Sequence, residues 1–74
     1  MDERTKELIA LGAAVASGCH QCIEMHIAKC DQLELSHQDV ADAVEVGLAA
    51  RERARDATKK DAEDMLGHYP QEAA

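Results

Sequence analysis

Apolar positions recur at helical spacing along most of this chain. Leu8, Leu11 and Val15 fall at i, i+3 and i+7, which predicts a helix from about Asp2 to Ala16. Asp2 and Glu3 suit its N-terminal end, where the helix dipole favours negative charge. Ser17-Gly18 interrupts the pattern, and either residue can cap the next helix. That second helix is predicted from about Cys19 to Leu33. Cys19, Cys22, Ile23, His26, Ile27 and Cys30 fall at offsets 0, 3, 4, 7, 8 and 11, the spacing of a single buried helix face. Glu24, Lys29, Asp31 and Gln32 lie mainly on the other side. Ser36 opens a third helix, with Asp39 where a capping box places its acid. Val40, Val44, Gly47 and Leu48 form its expected core stripe, and Gly47 with the many alanines permits close helix approach. From Arg51 to Leu66 charge takes over, and the segment either continues the third helix or forms a fourth. Gly67 is the expected C-terminal cap. Residues 1–67 read as one domain and 68–74 as a C-terminal tail.

Composition sharpens the class. Tyr69 is the only aromatic residue, and strands draw on the aromatic and β-branched residues that are scarce here. The expected fold is all-α, three to four helices with the cysteine pair opening the second. Seventy-four residues packed mainly with Ala, Val and Leu gain little from burial alone, so packing of the helices in a homo-oligomer is expected. A formal charge of −7 with no basic patch argues against nucleic acid. A surface-lying membrane helix would want a basic polar face, and no apolar run approaches spanning length. Leu8–Ala16 with Ala14-Val15-Ala16 imitates a secretory signal. The segment before it, Asp2 to Glu7, is mixed in charge rather than basic, so the cytoplasm is the expected location. In that reducing setting a close cysteine pair points to catalysis or metal binding rather than to a structural staple.

Cys19-His20-Gln21-Cys22 carries the candidate chemistry. Two thiols at this spacing can close a disulfide, and the unpaired N–H groups of a first helical turn stabilise a thiolate. Cys22 and His26 are i, i+4 and so neighbours on the helix. His26 can act on Cys22 directly or through a water, as base or proton carrier. An acid that orients the imidazole would complete the device, and on spacing alone Glu7 is one of many candidates. Thiol–disulfide chemistry of this kind runs without a cofactor. The rival reading is a binding module in which Cys19, Cys22 and His26 hold a metal or serve a partner protein without turnover. Cys30 lies about 12 Å along the axis from Cys22, too far to join that ion, and reads as a small core residue. His20 could assist a thiolate or simply be solvated; His37 and His68 read as surface residues. The run from Arg51 to Asp64 reads as a solvated face with i, i+4 charge pairs.

Glu7, eleven residues, Cys19-X-X-Cys22, three residues and His26 together resemble the signature of the alkylhydroperoxidase D and carboxymuconolactone decarboxylase superfamily. The wording LIALGAAVASGCHQCIEMHIAKC is similar to its core, and the resemblance covers roughly residues 4–50. It implies an all-α fold assembled into trimers or hexamers, with Glu7, His26 and Cys22 as a proton relay. In that scheme Cys22 attacks a peroxide and Cys19 resolves the sulfenic acid to a disulfide. The decarboxylase branch generally lacks the cysteine pair, so the resemblance implies the redox branch. It also implies a lipoyl-bearing protein or a peroxiredoxin as redox partner. The chain departs from the pattern in its short length. It also departs after the third helix, where Arg51-Glu52-Arg53-Ala54-Arg55 replaces the usual Gly-Gly-type break.

Overall fold

A computed structural model describes residues 1–71. Three helices account for these residues: α1, Glu3–Ser17; α2, His20–Gln32; and α3, His37–Gly67. Each begins on a side chain that satisfies an otherwise unpaired backbone N–H. Asp2 Oδ1 accepts from Thr5 N at 2.7 Å, Cys19 Sγ from Cys22 N at 3.3 Å, and Ser36 Oγ from Asp39 N at 3.1 Å. The Thr5 amide also holds the Asp2 carboxyl below its ordinary range. Gly18 ends α1 with φ 70°, and its N–H reaches Val15 O while that of Cys19 reaches Ala14 O. A left-handed glycine of this kind closes a helix while turning the chain sharply.

The question left by the sequence after Arg51 resolves as continuation, giving a 31-residue third helix. From Leu48 to Leu66 there is neither Gly nor Pro, and Ala, Arg, Glu and Lys are good helix formers. Gly67 is the last helical residue rather than the cap, which falls on His68 in a right-handed conformation. Of the expected tail, residues 68–71 follow the helix; residues 72–74 lie outside the described part.

Helix α1 lies between the other two, and its inward residues Leu11, Ala14 and Val15 are buried with Cys30 of α2. Ile23, Leu35, Val40, Ala43 and Val44 pack around that centre. Two residues expected in the core stripes fall outside it, Ile27 (43% exposed) and Leu48 (54%). Both sit at the margin of their stripe, and the narrow α1 covers only part of each neighbour's face. At the α1–α3 crossing Gly47 is buried. A methyl group added there would stand 2.5 Å from Gly12 O and 2.7 Å from Val15 Cβ. The molecule is elongated, 63 × 20 × 18 Å, because the second half of α3 runs past the other two helices.

Candidate active site

The site forms where α1 ends and α2 begins. Gly18 turns the chain so that Cys19 caps α2 and Cys22 lies in its first turn. The two cysteines are joined as a disulfide, with Cα atoms 5.2 Å apart. Both are half-buried, so each keeps part of its surface open to solvent. Cys19 is the sulfur that accepts the Cys22 backbone N–H. A thiolate there is therefore favoured by the donors of the helix N-terminus.

One turn after Cys22, His26 turns toward α1, and its Nδ1 lies 2.5 Å from Glu7 Oε1. Glu7 is 7% exposed, the buried charged residue of the core. A carboxylate removed from water needs a partner, and the imidazole supplies it. Nδ1 faces the carboxylate, and Nε2 is the ring nitrogen that this contact leaves over. The structure thus joins Glu7, nineteen residues away in sequence, to His26.

Cys30, the remaining thiol, is free and buried. Burial pushes its pKa up, and the nearby Glu7 charge pushes it further. It stays protonated at neutral pH, as suits a core residue. His20 is exposed and stands 3.6 Å from Glu24, directed along the solvent side of α2. Among the described residues, no three His, Cys, Asp or Glu side chains converge in a way that could hold a metal ion. No helix among those residues is long and apolar enough to cross a membrane.

Two arginines matter here that sequence reasoning passed over. Arg51, expected on a solvated charged face, donates from Nη1 to Ala16 O at 3.3 Å. Its guanidinium packs against Gly18 so closely that a methyl group there would collide with it. Arg51 therefore seals the end of α1 and brings a fixed positive charge to the residue before Cys19. Arg4 donates to Leu33 O at 2.7 Å and Glu34 O at 3.2 Å, tying the start of α1 to the end of α2. Only its place near an unpaired helix C-terminus could have flagged either one, and that place is a tertiary property.

The molecule is thus an all-α protein whose second helix opens on a redox-capable cysteine pair backed by a carboxylate–imidazole contact. Over residues 1–63 it matches the carboxymuconolactone decarboxylase family, and it belongs to that family. Neither a curated protein nor a solved structure shows significant similarity to it.

Proposed function

We propose that the chain is a thiol–disulfide oxidoreductase of the redox branch of its family, reducing hydroperoxides through Cys22 and Cys19. The observation that carries this reading is the disulfide at the start of α2, one turn before an imidazole held by a buried carboxylate. In the first step the Cys22 thiolate attacks the terminal oxygen of an organic hydroperoxide. The S–O bond forms, the O–O bond breaks, and the leaving alkoxide takes a proton delivered from His26. Cys19 then attacks the sulfenic sulfur, forming the disulfide and releasing water. A dithiol reductant closes the cycle by exchange, leaving as its own disulfide and returning both cysteines to thiols. A lipoyl-bearing protein, or a partnership with a peroxiredoxin, suits that last step, and Glu7 keeps the imidazole oriented throughout. Assembly into trimers or hexamers and a cytoplasmic setting belong to the same proposal.

Thiol-dependent consumption of an organic hydroperoxide by wild-type protein and by Cys22→Ser tests it. Wild type should turn over and Cys22→Ser should fall to background. Cys19→Ser should stop after one turnover with a sulfenic acid on Cys22, visible as a mass shift with a sulfenic-acid-trapping dione. Equal rates for wild type and Cys22→Ser would sink the reading. Stoichiometric zinc in reduced protein, lost with Cys19→Ser, would replace it with the metal-binding one.

A further inference from the structure

Arg51 carries its charge without a carboxylate partner, since no ion pair among the described residues includes it. Its Nη1 donates instead to Ala16 O at 3.3 Å, a carbonyl in the last turn of α1. The guanidinium lies over Gly18, where an added methyl group would stand 2.8 Å from Cζ and 2.9 Å from Nη2. From Gly18 to Cys19 is a single Cα step, about 3.8 Å. The charge therefore stands within about 10 Å of the Cys19 sulfur, roughly the screening length at 0.1 M salt. Cys19 Sγ already accepts the Cys22 N–H at the mouth of α2, so two positive influences meet on one sulfur.

Few other charges face this turn. Residues 12–18 of α1 and its cap carry no ionisable side chain. On α2, His20 stands 3.6 Å from the Glu24 carboxylate on the solvent side, and His26 is paired with Glu7. On α3, Glu52 and Arg55 flank Arg51 along the surface that runs on from Ala16. Arg4 makes the same kind of contact elsewhere. It donates to Leu33 O and Glu34 O at the far end of the 13-residue α2, about 20 Å from the cysteine turn. A guanidinium that closes a helix C-terminus thus occurs twice, and only Arg51 stands at the cysteine pair.

We propose that Arg51 is a positioning residue of the redox pair: from its place over Gly18 it makes Cys19 the sulfur that keeps the negative charge when the disulfide opens. Two electrons from the dithiol reductant break the S–S bond, Cys22 takes up a proton, and Cys19 remains a thiolate. The guanidinium stabilises that reduced form, so the pair is a stronger oxidant of its reductant. Cys19 is then already charged when a sulfenic acid forms on Cys22, ready to attack it. The inference rests on the redox reading for the cycling of the pair, but its test needs no peroxide.

Two measurements on metal-free protein decide. Alkylation followed against pH by mass spectrometry gives the pKa of each thiol in the reduced chain. Equilibration with glutathione buffers at about pH 9, where a Cys19 thiolate is populated, gives the dithiol–disulfide constant. Arg51→Gln should raise the Cys19 pKa by about half a unit to one unit and favour the disulfide about two- to tenfold. Cys22 should move less. Arg51→Lys should keep most of both properties, and Arg4→Gln should leave both at their wild-type values. An unmoved Cys19 in Arg51→Gln overturns the inference. An equal shift in Arg4→Gln also overturns it, because loosened helix ends would then be the cause. If circular dichroism shows that Arg51→Gln loses helix, wild type decides. The Arg51 Nε–H resonance of reduced protein should then move with the Cys19 midpoint, and a resonance indifferent to it overturns the inference. Shifts absent with peroxide turnover intact count against Arg51 alone. Turnover absent with the shifts intact counts against the peroxide reading alone.

Discussion

Cys19 accepts a backbone N–H at the mouth of α2 and has the Arg51 guanidinium one residue away, against Gly18. Cys22 has neither, and the His26–Glu7 pair lies one turn further on. The two sulfurs therefore sit in different surroundings. Glu7→Gln removes the buried negative charge near Cys30, the second of the two causes that raise its pKa. The Cys30 pKa should therefore fall, though burial, the larger cause, still holds it above the ordinary value. Cysteine Cβ chemical shifts followed against pH in reduced protein would show that fall, and an unmoved Cys30 titration would refute the assignment. The same substitution keeps an amide oxygen as acceptor but removes the charge from that hydrogen bond, an expected cost of about 1 kcal/mol.

Cys30 also makes a statement about stability. Its folded pKa is raised, so its contribution is fully present below the unfolded value, near the ordinary 9.0, and is lost as pH rises through the folded one. Above about pH 9 the unfolded chain releases a proton that the folded chain keeps, and stability should fall. In Cys30→Ala, urea unfolding should show that alkaline slope flattened, whatever the absolute cost of the substitution. At this scale the cysteine pair and His26 were legible because they share one helix, where spacing alone fixes neighbours. Glu7 was legible only through the family pattern, since its contact with His26 crosses between helices. Arg51 was not legible at all, because its task depends on α3 passing the end of α1.

The elements depend on how closely α1 and α3 approach. With Gly47 set against Gly12 O and Val15 Cβ, Gly47→Ala must push the helices apart or displace Val15 from the core. Backbone cannot yield as a flexible side chain does, so the expected loss is about 1–3 kcal/mol, measured as a lower urea midpoint with unchanged slope. Gly18→Ala differs in kind. The Arg51 side chain can swing away, but φ 70° remains strained for alanine, an expected cost of about 1 kcal/mol. The sequence showed three of the starts and stops through Asp2, Gly18 and Ser36, whose chemistry is local. It left open the continuation of α3, because a charged stretch without a breaker is equally compatible with one helix or two. It misplaced Ile27 and Leu48, since periodicity locates a stripe but not the width of the neighbour that covers it.

For the whole molecule, the core is too thin to order everything that is helical. Leu11, Val15 and Cys30 hold the α1–α2–α3 centre, while beyond the Arg51 contacts with Ala16 and Gly18 the rest of α3, an arm of residues 52–67, lies exposed. The arm's intrahelical ion pair Lys59–Glu63, at 3.9 Å, is exposed at both ends and worth little. If the proposed assembly orders the arm, its protection must follow mass action, as the stability of any associated element does. Amide hydrogen exchange should therefore slow in residues 51–67 as protein concentration rises, with the amides of Leu11 and Val15 much less affected. An arm equally protected at all concentrations would mean that helix propensity alone sustains it. In that case α3 would be a free-standing rod.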